Sequence, residues 1–432
     1  MKTQEAPDAL KPFVFHGLDL KEVGSQFLTE CPWCSKLKMY IDSKTGQWDC
    51  KVCNQSGNPM TFIRDYWQLC YDQAKGESAE YRALQKDRRY LELRTLRDWG
   101  VCPGLFKADW LMPGYLINGK MGQLYRYATF KGANGFYKAL LPTPGIHPQG
   151  KVHCLFAPLS MSKGNGRSLL DRCSTAYICE GPWDGMALWE IMSRAHETDD
   201  GLEPTATVES SLLKDSAIIA VPGCNVWQDD WTTLFGNKRV ILLFDSDHPK
   251  VICRTCQKSY SPVECEQCPE CHNPARGVDV KPPGVAGMAR VSHLLAHSDE
   301  KPSEIHYLNW GPGGYSKDLP SGYDVRDALS GKLLGGVKEE DGEQDDLKAR
   351  LRRLLWVISQ IEPIPLEWVG KGWKPGKDQK NLNLDILPCA RWVDLVKAWR
   401  HALKWIDGLD RALSVMLACV TSTKAVGDQL WA

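Results

Sequence analysis

Thr175-Ala-Tyr-Ile-Cys-Glu-Gly-Pro-Trp-Asp184 and Arg239-Val-Ile-Leu-Leu-Phe-Asp-Ser-Asp247 decide how this chain is read. Each opens on a short, unbroken apolar run and ends on acids. An apolar run without polar alternation marks a strand buried on both faces, the pattern of a parallel sheet covered by helices. Ala217-Ile-Ile-Ala-Val221 is a third such run, and helical stretches fall between them at Trp183 to Ala195 and near Asp229 to Phe235. The alternation predicts an α/β layer over about residues 173–335. Its acids follow the carboxyl ends of strands, where open α/β sheets bind ligands. Glu180, Asp245 and Asp247 can there share one or two Mg²⁺ or Mn²⁺ ions, because hard cations take carboxylate oxygens and keep waters and phosphates as further ligands. Asp184 is either a further ligand or simply an acid in the first helical turn, where the helix dipole favours it.

Two cysteine clusters hold nine of the seventeen cysteines. Cys31-Pro-Trp-Cys34 and Cys50-Lys-Val-Cys53 are two thiolate pairs separated by fifteen residues. Two such turns complete a closed tetrahedral Zn²⁺ site, which leaves no open position and is therefore structural. Lys36, Lys38, Tyr40, Trp48 and Lys51 mix cations with aromatics around these turns. Aromatic faces can stack unpaired bases while cations hold phosphates. The alternative is a bare structural knuckle. Further on, Cys253-Arg-Thr-Cys256 pairs with either Cys265/Cys268 or Cys268/Cys271. Cys268-Pro-Glu-Cys271 is favoured, with Cys265 spare, for a second structural Zn²⁺. This cluster lies in an insertion, 248–283, that either staples a long loop or touches nucleic acid.

The formal net charge is zero, which excludes a uniformly basic coat. Between Arg82 and Leu170 there is nonetheless a local excess of +10, the footprint of a polyanion groove or of a solvated basic face. Gln123 to Phe130 reads as strand within it, and Arg126, Lys131 and Lys138 are the leading candidates for template or nucleotide contacts. No signal core opens the chain and no run of eighteen apolar residues occurs, so a cytoplasmic protein with no membrane partner is expected. Clustered Cys-x-x-Cys pairs agree with a reducing compartment.

Glu180-Gly181 with Asp184, followed by Asp245-x-Asp247, resembles the TOPRIM domain shared by bacterial and phage primases, topoisomerases and some nucleases. The resemblance implies acid/base or metal chemistry at Glu180 and metal binding at Asp245 and Asp247. Where the family has an Ala-Gly helix almost directly after the Asp-x-Asp pair, this chain interposes thirty-six residues, His248 to Pro283, before Gly284-Val-Ala-Gly-Met-Ala-Arg-Val-Ser-His-Leu-Leu295. Leu319-Pro-Ser-Gly-Tyr-Asp-Val-Arg-Asp-Ala-Leu329 is similar to the late acidic motif of phage primases and points to Asp324 and Asp327; capping a surface helix is the alternative. The stretch Trp48 to Gly57 with Phe62 is similar to the second knuckle of primase zinc domains.

The order of modules resembles replicative primases over roughly residues 10–330. It implies a multi-domain α/β protein with a zinc ribbon (1–70), a strand-rich basic RNA polymerase subdomain (82–172), a TOPRIM domain (173–335) and a helical C-terminal region (347–432). It also implies synthesis of short RNA primers from ribonucleoside triphosphates on single-stranded DNA, with a replicative helicase as partner in cis or in trans. Ser422 to Trp431 resembles the lead-in to a RecA-like ATPase, so a longer primase-helicase is expected, although no Gly-x-x-x-x-Gly-Lys-Ser/Thr loop is present. The rivals are a TOPRIM nuclease and a noncatalytic DNA-binding or helicase-loading module. A topoisomerase would need a nucleophilic tyrosine in a large strand-gating domain, and no region for one is evident.

Overall fold

The computed structural model describes residues 5–74, 76, 78–88, 91–107, 109–132, 135–147, 153–162, 170–171, 173–194, 215–273, 277–331 and 347–370. The charged run at 339–346, the basic loop at 371–377, the expected helix at 391–422 and the ATPase-like lead-in lie outside the described residues. Among the described residues no helix is long and apolar enough to cross a membrane.

The N-terminal module is a five-stranded antiparallel sheet in chain order: β1 (Lys21–Val23), β2 (Gln26–Glu30), β3 (Leu37–Asp42), β4 (Trp48–Cys50) and β5 (Ser56–Gly57). Helix α1 (Pro59–Gln73) follows, starting where Asn58 Oδ1 accepts the Thr61 N–H at 2.9 Å and Pro59 needs no partner. It buries Phe62, Ile63, Tyr66, Trp67 and Cys70, one stripe at helical spacing. Helix α2 (Ala79–Asp87) begins soon afterwards, so the polar stretch 72–80 is a short turn between helices among its described residues.

A second antiparallel sheet joins β6 (Cys102–Pro103), β7 (Trp110–Tyr115), β8 (Met121–Gly132) and β9 (Gly135–Pro142). It shares its core with the N-terminal module: Leu10, Phe13, Phe27, Cys31, Cys50 and Phe62 cluster with Cys102, Leu111 and Leu124. Directed bonds cross the same seam. Trp67 Nε1 donates to the Gly100 carbonyl at 2.8 Å, and the Tyr71 hydroxyl to Arg97 O at 3.0 Å.

Arg126 belongs to this seam, which corrects its expected role as a template contact. Its guanidinium donates to the Phe15 carbonyl, stacks 4.2 Å from the Phe15 ring centre and pairs with Asp109 at 3.2 Å. The side chain is buried, so its charge serves packing between modules. Arg126→Ala is expected to destabilise the protein by about 3–5 kcal/mol, because Asp109 would be left half-buried without its partner. Arg126→Lys should recover little of that, since an ammonium cannot both fork and stack. Urea unfolding of the three proteins measures this.

The third sheet carries the acids. Its order is β11 (Ser216–Ala220), β10 (Thr175–Cys179), β12 (Arg239–Leu243), β16 (Glu304–Leu308) and β17 (Ile361–Pro363). The first four strands are parallel, as the apolar runs predict, and β17 adds an antiparallel edge. Alternate side chains face two cores. Tyr177, Cys179, Ile241 and Leu243 pack against α3 (Pro182–Arg194), α5 (Val325–Leu329) and α6 (Leu347–Ser359). Ala176, Ile178, Val240 and Leu242 pack against α4 (Pro283–Ala296) and the 3₁₀ turn Asp229–Phe235. The chain passes from β10 to β11 on one side, then returns to place β12 on the other. The sheet therefore reverses its winding between β10 and β12, and the crevice at their carboxyl ends is where such sheets bind ligands. A small three-stranded sheet, β13 (Lys250–Cys253), β14 (Ser259–Tyr260) and β15 (Gly277–Val280), is inserted after β12.

Candidate active site and metal centres

Each cysteine pair sits in a tight knuckle of one repeated geometry. The first cysteine's N–H bonds the carbonyl five residues on: Cys31 to Lys36, Cys50 to Gln55, Cys253 to Lys258 and Cys268 to Asn273. The residue after each second cysteine takes a left-handed backbone: Ser35, Asn54, Gln257 and His272. Because His272 follows Cys271, the pair in the insertion is Cys268/Cys271, and exposed Cys265 stays outside it. Both quartets hold their four sulfurs within 4.8 Å of one another. Cys31 to Cys53 is 3.6 Å, Cys34 to Cys50 3.7 Å, Cys253 to Cys271 3.6 Å and Cys256 to Cys268 3.4 Å. Four sulfurs at about 2.3 Å from one tetrahedral ion stand roughly 3.8 Å apart, so both quartets fit Zn²⁺.

Around the first quartet the exposed groups are Lys36, Lys38 and Lys51, with Tyr40 half-buried. Lys51 pairs with Asp49 at 2.5 Å. Trp48 corrects the expectation of a base-stacking platform. It is 2% exposed, stacked on Trp33 at 4.9 Å and 2°, edge-on to Phe62, and its Nε1 donates to Asn58 O. Strand alternation explains this: Met39, Ile41, Trp48 and Cys50 share the inner face of β3 and β4. Leu37 and Val52 are the exposed apolar groups beside the lysines. Lys138 is exposed and pairs with Asp87, while the side chain of Lys131 lies outside the described residues.

Glu180 directly follows β10, and Asp245 lies just beyond β12, the neighbouring parallel strand. The two are tied directly, the Asp245 N–H donating to Glu180 Oε2 at 3.1 Å. Asp247 Oδ2 accepts the N–H of Gly284 in the first turn of α4 at 3.0 Å. Gly284 is needed there, because a Cβ would stand 2.3 Å from the Asp245 carbonyl oxygen. Loop 311–323 grips the same segment. Ser246 N–H bonds Tyr323 O at 2.8 Å, and Ser246 Oγ accepts the Ser316 N–H at 3.0 Å.

Asp184 and Asp324 close the cluster from the other face. Asp324 caps α5 through the Asp327 N–H at 2.6 Å and pairs with Arg326 at 2.7 Å, so it performs the capping alternative while buried beside the other acids. Asp184 is buried, and its Oδ1 has no hydrogen-bond partner among the described residues. Asp327 is buried on α5. Two arginines that the sequence does not single out balance this edge. Arg326 is one. Arg88 is the other, held 4.3 Å over Tyr127 and 4.7 Å over Trp183, where burial, opposed by the nearby aspartates, pushes it down to about 10. Cys224, on the loop after β11, lies close to the Glu180 carboxylate.

Burial is the largest influence on Glu180, Asp184, Asp245 and Asp247 and raises all four. For Asp245 the charges of Asp184, Glu180, Asp324 and Asp247 add to it in that order. For Asp247 the Gly284 N–H and Lys250 pull the other way. Among the described residues only the cysteine quartets gather three ligand atoms within 4.8 Å, so the carboxylates stand further apart than the thiols do. Half-buried and buried, mutually repelling oxygens with an orphaned atom among them suit a hard divalent cation. Since the folded-state acids are raised, protons compete with such an ion from the ordinary carboxylate range upward. Mn²⁺ binding is expected to tighten as pH rises from 5 to 8, by about tenfold per pH unit for each proton displaced. Electron paramagnetic resonance titration checks this; pH-independent binding would contradict it.

No protein-family model matches this chain, and no curated protein matches it. Solved structures do. The Aquifex aeolicus primase (zinc-binding and RNA polymerase domains) is similar at a TM-score of 0.33 and 13% identity, over 86% of this chain and 92% of that one. The primase fragment of the bacteriophage T7 primase-helicase gives 0.29 and 13%, over 76% and 97%. A DNA primase domain from Pseudomonas aeruginosa gives 0.36 and 13%, over 70% and 78%. At these TM-scores the likeness adds no weight to the functional reading, which stands on the chain's own residues.

Proposed function

We propose that this chain is a DNA-templated RNA primase, joining ribonucleoside triphosphates on single-stranded DNA by metal-dependent nucleotidyl transfer. One observation carries the reading: Glu180 and Asp245, on adjacent parallel strand ends where the sheet reverses, are bonded to each other with Asp247 alongside. Glu180, Asp245 and Asp247 are the residues that would hold Mg²⁺ or Mn²⁺. When bound, the ions supply charge neutralisation for the triphosphate and lower the pKa of an attacking hydroxyl. Asp184 and Asp324, balanced by Arg326 and Arg88, set the charge at the rim of this site. The exposed Lys36, Lys38 and Lys51 beside the first quartet would hold template phosphates.

The acidic centre belongs in this reading to a TOPRIM-type domain and the β6–β9 sheet to the polymerase's basic half. A replicative helicase, in cis or in trans, is the expected partner. The test incubates the protein with mixed single-stranded templates, labelled ribonucleotides and Mg²⁺ or Mn²⁺. Short RNA that disappears in Glu180→Gln supports the proposal. Template cleavage without RNA would make the chain a nuclease, and binding alone would make it a loading module.

A further inference from the structure

Between Asp247 and Gly284 the chain makes a thirty-six-residue excursion and comes back to where it left. It leaves through β13 and returns through β15, whose ladder pairs Lys250 with Val280 and Cys253 with Gly277. Asp247 and Gly284, just outside the two ends, then meet through the 3.0 Å bond to the Asp247 carboxylate. Among the described residues the tip has little apolar packing to hold it shut. Among the described side chains its buried apolar core is Val251, Cys253, Tyr260 and Cys268, and two of those four are thiols of the quartet. Closing so long a loop costs chain entropy that so small a core does not offset, whereas a bound ion does. The root is tied to the site as well. His248 donates its N–H to Ser321 Oγ at 3.0 Å and Nε2–H to Leu319 O at 2.8 Å, and its Nδ1 lies 3.3 Å from Glu264 of the insertion.

We infer that the zinc-closed insertion is a positioning element for Asp247. The Cys253/Cys256/Cys268/Cys271 quartet shuts the hairpin, the shut hairpin holds the Gly284 N–H on the Asp247 carboxylate, and that bond sets how tightly the acidic centre takes its divalent cation. This rests on Asp247 being a cation ligand. Partners that orient a ligating side chain typically govern 10–100-fold in metal affinity.

Two variants and the native protein test it, with Mn²⁺ as probe and Asp245→Asn as background. In Cys256→Ser/Cys271→Ser the excursion stays long but loses its ion. In the second variant, residues 254–276 are replaced by Asn-Gly, a two-residue turn that suits the Cys253–Gly277 register and closes the hairpin without metal. Zinc analysis should give one ion per chain in both, against two in the native protein. Electron paramagnetic resonance should show Mn²⁺ binding 10–100-fold weaker in the double-serine variant and within about threefold of native in the short-turn variant. Unchanged binding in the first, or equal loss in both, overturns the inference. No nucleotide enters the measurement. A native protein that binds Mn²⁺ yet makes no RNA rejects the proposed polymerase and leaves this inference standing. One whose Mn²⁺ binding does not differ from the Asp245→Asn background rejects both.

Discussion

Asp245→Asn is expected to lower metal-dependent ribonucleotide incorporation about a thousandfold, and to raise the melting temperature of the protein held without Mg²⁺ or Mn²⁺. The first effect follows from removing a charged ligand at the centre of the site; several kcal/mol of transition-state charge stabilisation are at stake, and about 4 kcal/mol is a thousandfold in rate. The second effect follows from the same crowding. Asp245 is half-buried, and its burial and then the charges of Asp184, Glu180, Asp324 and Asp247 all push it upward. A carboxyl with a raised folded-state pKa contributes stability below its unfolded pKa and loses it as pH rises through the folded one. At neutral pH the native residue therefore strains the cation-free fold, and the amide relieves it. A gain of roughly 2–4 °C per kcal/mol is the scale for a unit of about 150–250 residues, the size of the one that carries Asp245. Calorimetry and primer synthesis on the same preparation test both halves. A variant that loses activity and melts lower would mark Asp245 as a structural residue.

Cys50→Ser should have the other large effect. The first quartet has no spare thiol within its 4.8 Å cluster, so zinc should fall from two ions to one per chain. Structural zinc contributes on the order of 10 kcal/mol to folding small zinc modules. Here the damage should not stop at residue 70, because Cys31 and Cys50 pack in one core with Cys102, Leu111 and Leu124 of the second sheet. The Trp33–Trp48 stack reports the module directly through near-ultraviolet circular dichroism. Retention of two zinc ions, or of the native aromatic signal, would contradict the assignment.

The strands that carry the acids could be read from the sequence because burial on both faces leaves an unbroken apolar run, as in Ile241-Leu-Leu243. The thiol quartets were legible because the knuckle is local. What the sequence hides is which side a residue faces. Trp48 and Lys51 look equally available for nucleic acid, yet β4 turns one inward and leaves the other in solvent. Arg126 counts toward a basic segment, but its charge is taken up by Phe15, 111 residues back, and by Asp109, just before the neighbouring strand β7. Long-range neighbours are the other gap. Arg88 meets Asp184 and Asp324 only because α2, α3 and α5 converge, and no spacing records that. Strand β16 goes unread because His306 interrupts its apolar run.

The seam at Phe15, Trp67 and Arg126 bears on how a start site would be chosen. A reader joined to the polymerising half by a slack tether can lean toward its own active centre or toward a neighbouring molecule's. Here the N-terminal module and the second sheet share one core, so under the proposed function the span from the lysine-edged knuckles toward Asp245 would behave as a fixed ruler. A template, rather than the protein, would then have to bend to fit it.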